Sequence, residues 1–352
     1  MSHAEFDVLK SKVTSDESIE LWKVGSKDGI DVNGVLAWLE ASREAIKAAV
    51  NSSGGIVIRG FTCLKDAHDF DAAISVIAPE QLDYVGGTAP RTTVLRRVMT
   101  ANDLPPRWSI PLHQEMSYTA TPPDNISFFC QTAASREGET TVADMRKVLK
   151  HVNPAFLAQC REHGVQLRRV MPSHATKHLK PGIQKTWNDV LGTDDPAEAE
   201  RIVAAKGWRS NWIEGDILHV WQDVIKATKV HPVTREEVWA NVAHYWSPAC
   251  QMTWALEDGR IDDYEEIADA RKHRPHMLDS MFFGNGEQIP EQDCLDVFRI
   301  HRQAELPLML QESDMVILDN IHYSHGRRPY EGTRRVLVAM FNKPKVEELA
   351  AA

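Results

Sequence analysis

Four short stretches carry residues able to do chemistry. The first is Pro111-Leu112-His113-Gln114-Glu115-Met116, where an imidazole and a carboxylate sit two apart. On an extended backbone residues i and i+2 share a face, so His113 and Glu115 would converge as two ligands of a divalent metal must. The second is Leu318-Asp319-Asn320-Ile321-His322-Tyr323-Ser324-His325-Gly326-Arg327, where an apolar run ends in Asp-Asn and enters a stretch with two histidines and a glycine. Either His322 or His325 would complete a set of two histidines and one carboxylate. That facial triad leaves coordination positions open and is typical of non-haem Fe(II) oxygenases. The third stretch, Gly332-Thr333-Arg334-Arg335-Val336, opens an apolar run with two guanidinium groups. A charge entering an apolar strand is costly unless it meets an anion, and arginine suits bidentate capture of a carboxylate. In the fourth, Gly138-Glu139-Thr140, a hydroxyl follows a glycine and can donate to the same kind of group. Each stretch also has a plain reading: a solvated strand face, a capped strand end, an exposed pair of arginines, a packing threonine. Their order along one chain carries more than any of them alone.

The elements that must position these residues are readable in outline. Residues 31–50 place Val32, Val35, Leu36, Leu39, Ile46 and Val50 at helical spacing. Residues 54–61 are a β-branched run closed by glycine, read as a buried strand. Further strands are expected at 125–131, 140–144, 166–171, 214–221, 314–320 and 335–341, and helices at 145–149, 154–162, 264–271 and 291–302. Residues 181–205 read as a helical insert and the first twenty residues as a loose arm. Strands scattered through the whole length do not follow a regular βαβ rhythm. They fit one domain, 1–352, with a mainly β, largely antiparallel core wrapped by helical inserts. The tryptophans Trp208, Trp212, Trp221, Trp239 and Trp246 either pack under those inserts or form a lid.

Composition excludes several classes. The chain has 352 residues, 40 Lys+Arg and 50 Asp+Glu, a net charge of −10, and 43% hydrophobic residues. This is ordinary globular composition, and its acidic balance argues against nucleic acid as a partner. No apolar run approaches the roughly 18 residues of a membrane span, and the first residues lack the apolar core of an export signal, so a cytoplasmic location is expected. Five cysteines without a Cys-x-x-Cys pair leave imidazole and carboxylate as the metal-binding material among 15 histidines.

Taken together the motifs resemble the TauD/TfdA-like family of Fe(II)/2-oxoglutarate-dependent dioxygenases, nearest its amino-acid hydroxylase branch. That branch includes the syringomycin-type aspartyl hydroxylases, clavaminate synthase, and the arginine and asparagine oxygenases. The resemblance runs from about Gly54 to Phe341. It rests on Gly55-Ile-Val-Ile-Arg-Gly-Phe61, Tyr84-Val-Gly-Gly-Thr-Ala-Pro-Arg-Thr92, Leu112-His-Gln-Glu-Met-Ser-Tyr118, Gly138-Glu-Thr140, Phe283-Gly-Asn-Gly286 and Asp319-Asn320 through Arg335. It implies a double-stranded β-helix (jelly-roll, clavaminate synthase-like) core. It implies Fe(II), 2-oxoglutarate and O2 as cofactor and cosubstrates, with His113, Glu115 and His325 as iron ligands. Thr140 and Arg335, the second arginine of the pair, match the residues that hold the far carboxylate of 2-oxoglutarate. Asp144 also fits the family, in a structural role. Glu115 stands where many members have Asp, and a carboxylate there disfavours halogenation. Tyr118, Gln131, Arg91 and His322 are candidate substrate contacts. The expected reaction is hydroxylation of an unactivated C–H in an amino acid or its derivative, in secondary metabolism. The substrate would be a small molecule, free or presented on a carrier protein, and a homo-oligomer is compatible with this. The same chemistry ending in desaturation, epoxidation or cyclisation is the nearest alternative; a non-catalytic jelly-roll binding protein is the alternative of another class.

Overall fold

Helix α1 (Val32–Ser53) begins where the Asp31 side chain accepts from the Gly34 amide, and it ends at Gly54, whose φ of 83° supplies a left-handed cap. The computed structural model describes residues 6–15, 17–26, 29–82, 91–181 and 185–342. Two strands, β1 (Phe6–Lys12) and β2 (Glu20–Ser26), precede α1; β3 (Gly55–Arg59) and α2 (Ala67–Ile77) follow it. Next come β4 (Thr93–Leu95), β5 (Val98–Thr100), β6 (Ile110–His113), β7 (Asn125–Thr132), β8 (Arg136–Glu137) and β9 (Thr140–Asp144). The middle of the chain carries α3 (Met145–His151), α4 (Pro154–His163), β10 (Val165–Pro172), α5 (Trp187–Leu191) and α6 (Pro196–Ala205). It continues through β11 (Arg209–Ile213), β12 (Ile217–Ile225), β13 (Thr228–Val230), β14 (Glu237–Trp239), α7 (Ala243–Trp246), α8 (Pro248–Glu257), α9 (Ile261–His273) and β15 (Ser280–Phe283). The last part adds α10 (Glu291–Gln303), β16 (Leu306–Leu308), β17 (Met315–Asp319), β18 (Tyr323–Arg327), β19 (Tyr330–Glu331) and β20 (Arg335–Phe341).

Two sheets make the core. The larger has eight strands in the order β1-β2-β3-β17-β7-β20-β5-β4; the smaller has four, β16-β9-β18-β6. Strand alternation sorts the residues of β20 to two sides. Val336, Val338 and Met340 join Val57, Phe128, Val142 and Tyr323 in the layer between the sheets. Leu337, Ala339 and Phe341 face the opposite way, against α1 and α2. A third sheet, β11-β12-β10-β15, lies with the inserted helices. The smaller sheet meets those helices through a further cluster that includes Leu112, Ala143, Trp239 and Trp246. The expected mainly antiparallel β core wrapped by helices is thus the observed one, and it is a jelly-roll. No helix among the described residues is long and apolar enough to cross a membrane.

One expectation needs correction. The first twenty residues are not a loose arm over the part described: β1 pairs antiparallel with β2 from Phe6↔Ser26 to Lys12↔Glu20, and β2 runs parallel to β3. Because β1 is the edge strand it is mostly exposed, so its sequence is polar and lacks the alternation that marks a half-buried strand. Its anchor is in the next strand, where Trp22 and Val24 are buried and Lys10 Nζ lies 3.6 Å over the Trp22 ring. Residues 84–90 of the glycine-containing motif lie outside the described residues.

Candidate active site

His113 ends β6 and His325 lies in the middle of β18, and the register of this antiparallel pair sets them directly opposite each other. Their ring centroids are 4.5 Å apart, and His325 Nε2 lies 3.8 Å from Glu115 Oε2. The ligand atoms of His113, Glu115 and His325 all lie within 4.8 Å of one another. The tautomer of His113 is set by its neighbour: Nδ1–H donates to the Pro111 carbonyl at 2.9 Å, which leaves Nε2 with a lone pair. Burial pushes His113 below the usual imidazole range and His325 well below it. Both rings therefore stay neutral near pH 7, as metal ligands must. The set fits a divalent cation with three positions left open.

Glu115 does not reach this point by strand alternation. The strand stops at His113, and Glu115 lies in a turn closed by Met116, whose φ is +54°. Asn320 holds that turn from across the fold: its Oδ1 accepts from the Glu115 amide at 2.7 Å, and its Nδ2 donates to the Glu115 and Pro123 carbonyls at 3.0 and 2.8 Å. Gln114 Nε2 adds a bond to the Ile321 carbonyl. Asn320 thus fixes the backbone that aims Glu115, a role its place after an apolar run did not reveal. Asn320→Ala is expected to weaken Fe(II) binding by about 10- to 100-fold, as lost outer partners of metal ligands do. Titration of Fe(II) against activity checks this, and unchanged affinity would refute it.

A pocket opens beside these residues, with Phe128, Tyr245 and Trp246 among the side chains that line it. At one end Arg334 Nη2 donates to Thr140 Oγ1 at 3.1 Å and Arg334 Nε to the Gly138 carbonyl at 2.9 Å. Arg327, directly opposite Thr140 across β18 and β9, lines the same end. Burial lowers both guanidinium groups from their ordinary values, Arg327 to about 10, and neither has a carboxylate partner among the described residues. A buried and a half-buried cation with a hydroxyl and no acid are a cradle for a carboxylate.

Arg335 is not part of that cradle. It is exposed and pairs with Thr132, and a bulge separates it from Val336. Arg334 is in phase with Val336, and both line the pocket; Arg335 is in phase with Leu337, on the helix-facing side. His322 is corrected too. It is fully buried outside the pocket, stacked on His231 with centroids 4.0 Å and planes 19° apart. It stands three residues from His325, out of phase with the site. Gln131 does not line the pocket: it is the extra residue of β7 where the pairing steps from Arg335↔Thr132 to Val336↔Cys130. Tyr118 and Arg91 do line it. Arg91 donates to Glu115 Oε2 at 2.5 Å. Of the tryptophans, Trp246 lines the pocket, Trp239 is fully buried, and Trp208 and Trp212 pack beside α5 and α6.

His231, Asp319 and His322 form a second cluster with metal-ligand chemistry, all buried. Its geometry is that of a hydrogen-bonded network. His231 Nε2 donates to Asp319 Oδ2 at 2.7 Å, and Asp319 Oδ1 accepts from the Ile321 and His322 amides. A metal must lie near the plane of each imidazole that binds it, and two nearly parallel stacked rings share no such point. The network shapes the turn that carries Asn320. A second stacked pair, His244 and His301 (3.9 Å, 22°), stands behind β6, with His244 Nε2 donating to the Leu112 carbonyl at 2.7 Å. Gly326 lets β18 and β6 approach: a Cβ there would sit 2.4 Å from the Ile110 carbonyl oxygen. Asp144 caps α3 and pairs with Arg146.

This geometry has counterparts. The model of the taurine catabolism dioxygenase TauD, TfdA family matches residues 15–341, and the chain belongs to that family. It is an Fe(II)/2-oxoglutarate-dependent dioxygenase that uses Fe(II), 2-oxoglutarate and O2. A clavaminate synthase-like protein of Arabidopsis thaliana is 28% identical over 307 residues, 86% of each chain. The dapdiamide synthesis protein DdaC of Enterobacter agglomerans is 26% identical over 309 residues, 87% of this chain and 88% of that one. Among solved structures, an asparagine oxygenase in complex with Fe(II), 2S,3S-3-hydroxyasparagine and succinate superposes with a TM-score of 0.51 at 10% identity, covering 88% of this chain and 82% of that one.

Proposed function

We propose that this enzyme hydroxylates an unactivated C–H of an amino acid or amino-acid derivative, with His113, Glu115 and His325 holding the iron. The observation that carries the reading is the joining, in one pocket, of this neutral-imidazole and carboxylate set with the acid-free Arg334–Thr140 cradle. Arg334 and Thr140 hold the far carboxylate of 2-oxoglutarate, with Arg327 adding charge at the same end. Bound iron supplies the oxidising chemistry, and the protein supplies position and exclusion of water. Phe128, Tyr245 and Trp246 make the apolar walls that keep water from the reacting carbon. The similarity to DdaC and to the asparagine oxygenase supports an amino-acid type of substrate.

Incubation with Fe(II), ascorbate and 2-oxoglutarate across a panel of free amino acids should raise succinate formation above the uncoupled rate for at least one member, with a hydroxylated product by mass. If none does, the same panel loaded on a carrier protein is the remaining form of the substrate. Failure of both arms refutes the amino-acid reading.

A further inference from the structure

Arg91 precedes β4 and reaches the metal set from outside the two strands that carry its histidines. Its Nη2 donates to Glu115 Oε2 at 2.5 Å, and both side chains are only 4% exposed. Oε2 is also the oxygen that lies 3.8 Å from His325 Nε2. Arg91 and all three members of the set line the pocket. The backbone beside Arg91 is fastened away from the site. The Thr92 amide donates to Thr100 Oγ1 at 2.8 Å, the Thr100 amide donates to the Thr92 carbonyl at 2.9 Å, and Thr92 Oγ1 donates to Asp103 Oδ2 at 2.9 Å. From across the fold, Asn320 holds the amide and carbonyl of Glu115. Glu115 is thus gripped at its main chain by one element and at its carboxylate by another.

A carboxylate can give a metal one oxygen or two. Two imidazoles and one oxygen leave open positions on an octahedral ion, and a second oxygen would take one of them. A guanidinium bonded to one oxygen engages the lone pairs that two-oxygen binding needs, and the bond is of the strong, charge-assisted kind. The pair also resists separation. A buried carboxylate beside two uncharged rings needs a counter-charge, and breaking a buried ion pair leaves one partner uncompensated. We propose that Arg91 is a positioning residue: its bond to Glu115 keeps that carboxylate a single-oxygen ligand of the iron and so keeps a coordination position open. This role stands in place of the substrate contact expected of Arg91. The assignment rests on His113, Glu115 and His325 as the ligands and does not depend on which substrate the enzyme oxidises.

The test counts positions without turnover. The full chain is loaded with Mn(II), and the broadening of its electron paramagnetic resonance lines by oxygen-17 water gives the number of exchangeable waters on the metal. Wild type should hold about three, the positions that a single-oxygen carboxylate leaves on an octahedral ion. Arg91→Met and Arg91→Gln, the latter too short to reach Glu115, should hold about two. Arg91→Lys keeps the charge and one donor and should hold the wild-type number. As a second readout, nitric oxide added to the Fe(II) form with N-oxalylglycine, in the absence of O2, should bind roughly tenfold more weakly to the neutral variants. A merely structural role for Arg91 would lower thermal stability and leave the water count unchanged. A wild-type count of about two overturns the proposal whether or not the variants fold, and so does a neutral variant that folds and keeps the wild-type count. That second result leaves the ligand set standing. A wild type that takes up no Mn(II) refutes the ligand set, and the role of Arg91 with it.

Discussion

Arg334→Ala should raise the 2-oxoglutarate concentration needed for half-maximal succinate formation by roughly thirtyfold or more, while Arg335→Ala should leave it within about twofold. The two residues are chemically identical neighbours, so the contrast isolates geometry. Arg334 is half-buried, bonded to Thr140 and the Gly138 carbonyl, and lines the pocket; Arg335 is exposed. Removing Arg334 strips a buried carboxylate of its main counter-charge, a loss of about 2–5 kcal/mol for a hydrogen-bonded charge pair. Arg334→Lys should recover only part of the affinity, because an ammonium cannot donate in parallel to both carboxylate oxygens. Steady-state kinetics at saturating Fe(II) decides the matter. The reverse ranking of the two alanine variants would place the cradle on the wrong arginine.

The second large effect concerns the iron set. Alanine at His113, Glu115 or His325 should abolish the Fe(II)-dependent absorbance of bound 2-oxoglutarate. It should also cut turnover by more than about 100-fold, beyond what the loss of an outer partner costs. His322→Ala separates ligand from framework. It leaves Asp319 and His231 without one wall of their network, so it should lower stability by about 1–3 kcal/mol while the absorbance band survives. Anaerobic spectra and thermal melts, taken on the same preparations, report the two quantities separately. A band lost in His322→Ala and retained in His325→Ala would reverse the assignment of the third ligand.

The residues most plainly legible in the sequence act from inside regular strands. His325 and Thr140 sit in β18 and β9, where apolar neighbours mark the element and alternation gives the face. Other residues depend on irregular backbone or were passed over. The choice between the two arginines was legible as well: alternation along β20 puts Arg334 with Val336 and Arg335 with Leu337, against the match to the second arginine of the pair. Glu115 is brought to the site by a turn and by Asn320, 205 residues away in sequence, so the two-residue spacing to His113 was right in its result and wrong in its cause. Arg327 was within reach, since it stands two residues after His325 on the same strand and so on the same face. Tyr245 and Trp246 come to the pocket from an inserted helix, α7, which packs on β10 of a separate sheet. At the N-terminus the edge position of β1 removed the hydrophobic pattern that would have announced it.

The stacked pair behind β6 bears on how the molecule meets acid. His244 and His301 are both held neutral, His301 pushed down to about 4 and His244 well below its ordinary value by burial, and His219 is likewise pushed to about 4. Unfolded, each of these rings would take up a proton as pH falls through about 6.5. Folded, they refuse it, so between about 6.5 and 4 the unfolded chain binds more protons and mild acid draws the population toward it. Stability is full above that window and declines on the way down. His244 holds the Leu112 carbonyl next to His113, so the strand that presents the first ligand is fastened by a ring that stays uncharged for as long as the fold persists.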